Sequence, residues 1–249
     1  MKRIDPVLAG LQKIRAPFIR AQKEYGFVHD GDRILAAISG GKDSLTMLAL
    51  LHELRESKAI RFELFAAHIK TDFHCAACSH QDVLTGIFKH YGVEAVFKDI
   101  KVLDEKRKTS CFWCSWNRRK ALFEIAASTG CNKVAFGHHK NDIVETALLN
   151  MFFNGEISTM SPRQVMFNGT ITIIRPLCFA EERVIKEVAK ELQFPEQFCR
   201  CPNGAQSKRR LVKNMLAELS AAHPEADIKE SVFQGLTELR GNPGAGKKH

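Results

Sequence analysis

The sequence lacks the long apolar segments that membrane proteins carry. No run in its 249 residues approaches the ~20 apolar residues that span a bilayer. The first residues, 1 to 6, include charged side chains and do not form the apolar core of a signal peptide. No internal repeat is visible. We therefore expect a cytoplasmic protein without membrane contact, built around one main domain.

Two common phosphate-binding motifs are also absent, the Walker A loop and the Gly-x-Gly-x-x-Gly fingerprint. In their place an apolar strand is followed by a six-residue loop that opens a helix, here named the cradle loop: Ser39, Gly40, Gly41, Lys42, Asp43 and Ser44. Two glycines allow backbone N–H groups to surround an anion, and Lys42 adds positive charge. A carboxylate such as Asp43 fits beside phosphate when Mg²⁺ lies between them. The loop therefore predicts a nucleotide with its metal; an ordinary glycine-rich turn is the alternative.

The pattern Ser-Gly-Gly-x-Asp-Ser after a strand resembles the PP-loop of the ATP pyrophosphatase superfamily. Members of that superfamily adenylate a substrate and release pyrophosphate. The resemblance therefore implies that Lys42 and Asp43 act in catalysis and that the whole cradle loop binds ATP. It does not identify the substrate.

Helical and extended patterns alternate along the chain, which predicts an α/β fold with a doubly wound parallel sheet. Predicted strands cover 33–38, 61–69, 93–98, 133–136 and 170–176, and predicted helices cover 7–25, 44–57, 79–91, 111–128, 142–153, 181–192 and 207–222. The sequence divides into an N-terminal helical segment (1–30), an ATP-binding domain (31–195), a C-terminal cysteine-bearing helical segment (196–240) and a disordered tail (241–249).

Ligands of such sheets bind beyond the carboxyl ends of the strands. His68, Gly137 and His138 fall there together with the cradle loop, and we assign them to the ATP site. Gly137 would let the backbone approach a nucleotide, and His138 would contact phosphate. Asp142, near the start of the next helix, either helps to hold Mg²⁺ or caps that helix.

Eight cysteines in a reducing compartment favour metal or redox chemistry over disulfides. Six of them form three pairs: Cys75 with Cys78, Cys111 with Cys114, and Cys199 with Cys201. The first two pairs have the spacing of a closed zinc site with four thiolates. An iron-sulfur cluster is equally compatible with the spacing. Cys131 and Cys178 lie in apolar surroundings and are predicted to be small buried residues.

The balance of charge favours a polyanionic partner. The chain carries 37 Lys plus Arg against 28 Asp plus Glu, a formal net charge of +9. Nucleic acid is the leading candidate. One basic cluster, Arg118, Arg119 and Lys120, follows the second cysteine pair, and we assign it to RNA binding; a solvated helix face is the alternative.

Several segments in the same order resemble the TtcA-like tRNA 2-thiocytidine synthetase family. They are the cradle loop, Cys111 to Cys114 with the following Arg118 and Arg119, the stretch 137–155, Arg175 to Leu177, and the late cysteines with Ser207 to Arg209. The likeness covers roughly residues 30 to 220. Members of that family bind ATP and Mg²⁺, carry a [4Fe-4S] cluster on three cysteines, and place sulfur at C2 of a cytidine in the tRNA anticodon loop.

The resemblance implies that Cys111 and Cys114 hold the cluster. The third ligand is Cys199 or Cys201, depending on whether the count runs forward from Phe194 or back from Ser207, and we prefer Cys201. Three thiolates leave one iron open to hold sulfur. The chain departs from the family at Asn141, where the family often has aspartate, and in the pair Cys75 and Cys78.

The implied reaction adenylates C2 of the cytidine and then replaces oxygen with sulfur. It requires tRNA and a sulfur donor, either a cysteine desulfurase or sulfide. The sequence is compatible with a homodimer and does not decide the oligomeric state. Two other functions fit parts of the sequence. A tRNA lysidine synthetase would use the same adenylation but attack with lysine, and a zinc-containing RNA-binding protein would only grip phosphate.

Overall fold

The computed structural model of the chain describes residues 10–73, 80–195 and 207–241. The helices are α1 (Gln12–Tyr25), α2 (Lys42–Glu56), α3 (His80–His90), α4 (Cys111–Ser128), α5 (Lys140–Asn154), α6 (Glu182–Glu191), α7 (Lys208–Ala222) and α8 (Ile228–Gly241). The strands are β1 (Arg33–Ala37), β2 (Glu63–Thr71), β3 (Glu94–Ile100), β4 (Lys133–Phe136), β5 (Arg163–Met166) and β6 (Ile171–Ile174).

The six strands form one sheet in the order β3-β2-β1-β4-β6-β5. Four neighbouring pairs are parallel, and β5 alone runs antiparallel, against β6. The predicted α/β fold with a parallel sheet is therefore confirmed. The edge strands differ in length: β3 has seven residues, with Glu94 and Asp99 exposed, and β5 has only four.

Two elements were not predicted from the sequence. Strand β5 has an exposed and mixed sequence, Arg-Gln-Val-Met, without an apolar face. It exists because the turn at Phe167–Gly169 folds the chain back against β6, with Asn168 at a positive φ of 53°. Helix α8 was also missed; it buries Phe233 and Leu236.

The core of the sheet is apolar because its central strands are covered on both faces. Ile34, Leu35 and Ala36 of β1 are fully buried, as expected for a central parallel strand. Helix α4 packs Leu122 and Ile125 against Leu35 and its neighbours on β2 and β4. Cys131 belongs to this cluster and Cys178 is fully buried, so both are structural residues as predicted.

The described residues form two compact units. Unit 1 comprises residues within 1–139 and 161–201, and unit 2 comprises residues within 140–160 and 202–249. In unit 1 the sheet is accompanied by α1, α2, α3, α4 and α6, with α6 packed on α1 and α2. In unit 2, helices α5, α7 and α8 pack against one another. The division of the sequence into segments 1–30, 31–195, 196–240 and 241–249 stays a prediction.

Several predicted features lie outside the described residues: Cys75, Cys78, Cys199, Cys201 and the tail beyond Gly241. None of the helices in the described part of the chain is both long and apolar enough to cross a bilayer.

A buried ion pair joins the start of β1 to β4. The Asp32 carboxylate lies 2.5 Å from the Lys133 ammonium, which also donates to the Phe27 carbonyl oxygen at 2.7 Å. Burial raises the pKa of Asp32, but hydrogen bonds from Lys133, the His29 N–H and Asn132 outweigh it and hold the pKa below its ordinary value. The pair therefore stabilises the fold above the ordinary pKa of aspartate and loses that contribution as the pH falls through the lowered value.

Replacing Asp32 with asparagine is expected to destabilise the protein by about 3 kcal/mol, because Lys133 is left charged and buried without its carboxylate. Urea denaturation at neutral pH measures this change. The difference from wild type should shrink as the pH falls below the ordinary pKa of aspartate, and it should become small below the lowered pKa, where the folded wild-type carboxylate is protonated as well. The exposed pair between Lys13 and Glu191 supplies the control, Glu191→Gln, which is expected to change stability much less, because solvent screens this pair. Equal losses for the two variants would refute the role of the buried pair.

Candidate functional site

The strand order locates a binding crevice at the carboxyl ends of β1 and β4. These strands are neighbours, but β1 leads to β2 on one side and β4 leads toward β6 on the other. In open parallel sheets such a reversal separates the two loops and leaves room for a ligand. The cradle loop follows β1, and Gly137, His138 and His139 follow β4. The fold therefore brings the cradle loop and residues 137–139 to the same edge of the sheet, and their assignment to ATP stays a prediction.

The cradle loop is closed by its two serines. Gly40 has φ +84°, a backbone conformation that glycine adopts without strain. The Ser44 hydroxyl donates to the Gly41 carbonyl oxygen at 2.9 Å and accepts from the Ser39 N–H at 3.2 Å. Helix α2 then begins at Lys42, with Gly41 as a cap that offers no side chain. The N–H groups of its first turn lack helical acceptors, which is the arrangement that binds phosphate.

Gly137 lies directly against the cradle loop. A Cβ atom at this position would be 2.9 Å from the carbonyl carbon and oxygen of Asp43 and from the nitrogen of Ser44. Real Cβ atoms essentially never come so close to backbone, so a side chain here would displace the loop. Gly137 thus allows a close approach to the cradle loop, whereas its predicted approach to a nucleotide stays a prediction.

Lys42 and Asp43 form a charged pair at the start of α2. The Lys42 ammonium lies 3.0 Å from one oxygen of the Asp43 carboxylate and 3.4 Å from the Glu182 carboxylate on α6. Burial lowers the pKa of Lys42, but the two carboxylates outweigh it and raise that pKa above its ordinary value. His139 Nε2 is 3.7 Å from Asp43. Two carboxylates thus hold Lys42 as a cation at the start of α2.

The two predicted histidines have different surroundings. His68 is buried, and its Nδ1 lies 2.7 Å from the carbonyl oxygen of Ile38, the residue that precedes the cradle loop. It therefore supports the entry into the loop. The His138 ring stacks on Phe136 with centroids 5.6 Å apart, at the end of β4.

Asp142 belongs to unit 2. Helix α5 begins at Lys140, two residues before the predicted start, so Asp142 is its third residue rather than its N-cap. Its carboxylate accepts a hydrogen bond of 2.7 Å from Arg209 of α7, which also reaches Glu145 at 3.1 Å. Arg209 thereby ties α7 to α5. A role for Asp142 with Mg²⁺ stays a prediction.

Cys111 and Cys114 occupy the first turn of α4. Ser110 caps the helix by accepting a hydrogen bond from the Trp113 N–H at 3.1 Å. Cys111 is exposed and Cys114 half-buried, one turn apart on the same side of the helix. Among the described residues no group of three His, Cys, Asp or Glu side chains is arranged to hold a metal. The expected third thiol, at 199 or 201, lies outside these residues.

The basic residues that follow are disposed in three ways. Arg118 donates to the Ile69 carbonyl oxygen at 3.4 Å, near the end of β2. Arg119 donates to the Ser115 carbonyl oxygen of its own helix at 3.4 Å. Lys120 is exposed, with Nζ 5.6 Å from the centre of the Trp116 ring. Of the three, Arg118 is the one anchored to the sheet.

Glu182 and His139 were not assigned to the site from the sequence. Both contact the charged pair of the cradle loop, and both are side chains that the fold brings to it from other elements. A partial signal exists for Glu182, since an acidic residue that opens a helix after a parallel strand lies at the carboxyl edge of the sheet.

The chain is similar to several known proteins. A family model described as a PP-loop domain matches residues 12–200. A tRNA-cytidine(32) 2-sulfurtransferase of Geobacter sulfurreducens is 37% identical over 233 residues, covering 90% of this chain and 89% of that protein. One of Pseudomonas putida is also 37% identical, covering 86% and 78%.

Among solved structures, the U34-tRNA thiolase NcsA from Methanococcus maripaludis, with its [4Fe-4S] cluster, superimposes with a TM-score of 0.73. It is 22% identical, and the match covers 92% of this chain and 79% of that one, so it supports the fold. From the PP-loop match and the extended sequence identity, the chain belongs to the PP-loop proteins and, among them, to the family of the tRNA-cytidine(32) 2-sulfurtransferases.

Proposed function

We propose that this protein is an ATP-dependent tRNA sulfurtransferase that replaces the C2 oxygen of a cytidine in the anticodon loop with sulfur. The single observation that carries the proposal is the contact of Gly137 with the cradle loop, because it joins two motif segments into one phosphate site. The sequence identity to tRNA-cytidine(32) 2-sulfurtransferases over most of the chain supports the choice of substrate.

In the first step, ATP lies over the cradle loop, and the C2 oxygen of the cytidine attacks its α-phosphorus. The first N–H groups of α2 and the Lys42 ammonium stabilise the charge that grows on the departing pyrophosphate. Asp43 fits Mg²⁺, since its carboxylate is adjacent to Lys42 and would be released when phosphate takes that cation. The product is an adenylated base, in which AMP is a good leaving group.

In the second step, sulfur attacks C2 and AMP departs with the former oxygen. The pair Cys111 and Cys114 fits two ligands of a [4Fe-4S] cluster, because the two side chains are one helical turn apart and accessible. Cys201 or Cys199 would supply the third thiolate. Such a cluster, when bound, supplies an iron without a protein ligand on which sulfur can be held.

The partners of the reaction follow from its chemistry. The substrate is tRNA, and Arg118, Arg119 and Lys120 are the residues that we assign to its phosphates. Sulfur comes from a cysteine desulfurase or from sulfide. With ATP and tRNA as reactants the expected compartment is the cytoplasm. A homodimer is compatible with the proposal but not required by it.

Replacing Gly137 with alanine is expected to weaken ATP binding at least tenfold, because the added Cβ would displace the backbone of Asp43 and Ser44. Calorimetric titration with a non-hydrolysable ATP analogue measures the effect. Gly86→Ala is the matched control: Gly86 lies on α3 with nothing within 4 Å of its added Cβ, so affinity should not change. Unchanged ATP affinity in Gly137→Ala would contradict the proposed phosphate site in the crevice.

Replacing Asp43 with alanine is expected to abolish turnover, because the carboxylate that fits Mg²⁺ is lost. Pyrophosphate release and mass spectrometry of digested tRNA are the two measurements. Asp99→Asn, which removes an exposed carboxylate on β3, serves as the control and should retain wild-type turnover. Thiolated tRNA formed by Asp43→Ala would contradict the metal role.

Serine at Cys111 or Cys114 is expected to remove iron and thiolation together, while ATP binding persists. Iron and sulfide analysis after anaerobic purification, with visible absorbance, reports the cluster. Cys131→Ala, in the apolar core, should keep its iron.

The same measurements distinguish the two alternative functions. A lysidine synthetase would transfer lysine without iron, and a zinc protein would be colourless and would not turn over ATP.

A further inference from the structure

Three large aromatic side chains at the start of α4 face solvent. The exposed fractions are 71% for Phe112, 50% for Trp113 and 43% for Trp116. Clustered aromatic exposure of this kind marks a surface that another molecule covers. These two tryptophans are the only ones in the sequence. The proposed function has assigned them no role.

The two indoles form an ordered pair. Their planes are only 13° apart and their centroids are separated by 5.6 Å, so the rings are parallel and offset, and both remain accessible. Trp113 and Trp116 are three residues apart and therefore lie on one side of the helix. The Ser110 cap fixes the N–H of Trp113, and the Asn117 side chain donates to its carbonyl oxygen at 2.9 Å. Side-chain hydrogen bonds thus hold both backbone polar groups of Trp113.

Positive charge borders the pair. The Lys120 ammonium lies 5.6 Å from the centre of the Trp116 ring, one turn further along α4, and Arg119 is next to it. The nearby carboxylate of Glu124 pairs with Lys98 at 2.7 Å and lies 4.0 Å from Lys120. Accessible aromatic planes beside cations are the surface that binds single-stranded nucleic acid, where bases stack on the rings and phosphates meet the cations.

We propose that Trp113 and Trp116, with Lys120, form a stacking platform for unpaired bases of the RNA loop that is modified. The inference rests on the proposed function for the identity of that RNA. Residues 111 to 116 span only about 8 Å along a helix, so a base on the platform lies close to the cysteine pair. The platform therefore holds the loop near the position where sulfur is delivered.

Intrinsic fluorescence tests the platform directly, because both tryptophans of the chain belong to it. The protein as isolated is titrated with an anticodon stem-loop RNA and with a fully paired duplex of the same length. The stem-loop is expected to quench the emission, and the duplex much less, because only unpaired bases can stack on the indoles.

Variants then measure the contribution of stacking to affinity. Trp116→Ala and Trp113→Ala should each weaken stem-loop binding between about 5-fold and 100-fold, whereas Trp116→Phe should keep most of the affinity. Ile19→Ala, which removes an exposed apolar side chain from α1, is the matched control and should bind as wild type. Unchanged melting temperature and ATP affinity in the variants would exclude loss of the fold.

Wild-type stem-loop affinity in Trp116→Ala would refute the platform, and so would equal quenching by the stem-loop and the duplex. A change in emission that depends on protein concentration in the absence of RNA would also refute it, because the tryptophans would then contact a second copy of the protein. Failure of the proposed function would give a different result.

If the stem-loop quenches the emission and the tryptophan variants bind it more weakly, but no thiolated product forms, the activity is refuted and the platform is supported. Wild-type thiolation kcat/KM in a Trp113→Ala, Trp116→Ala double variant would keep the activity and refute the platform.

Discussion

The parallel pairing of β1 with β4 is the constraint on which the nucleotide site depends. Ala37 is opposite Phe136 in the register, so the chain leaves both strands at the same level of the sheet. On one side Ile38 and then the cradle loop follow, and on the other side Gly137 follows directly. Their backbones meet because glycine has no Cβ to separate them. Four paired residues on each strand thus bring together two segments that lie nearly a hundred residues apart in the sequence.

The charges around the cradle loop form an exchangeable set. Lys42 is neutralised by Asp43 and Glu182, and each of these groups has a second neighbour: His139 for Asp43 and Lys186 for Glu182. Each carboxylate of the set therefore has a polar or charged neighbour besides Lys42. Because the Lys42 and Asp43 side chains also remain 30% and 32% exposed, neither charge is isolated in the interior.

Local signals in the sequence were sufficient to predict much of the fold. The apolar strand before the cradle loop, the four residues of β4 and the eighteen of α4 were all predicted, because alternation, caps and glycines act within a few residues. Strand β5 was missed because its exposed residues have no apolar periodicity and its partner comes later in the chain. Glu182 was missed because only the packing of α6 near α2 brings it to Lys42. The stacking of Trp113 on Trp116 likewise required the helix geometry.

The two outer strands of the sheet are poor templates for further pairing. Strand β3 exposes Glu94 and Asp99, and β5 offers only four residues before the chain turns at Phe167. Short or charged borders of this kind discourage edge-to-edge aggregation. Edge-to-edge extension of the sheet by a second copy is therefore disfavoured, so helices and loops are the surfaces through which we expect any self-assembly.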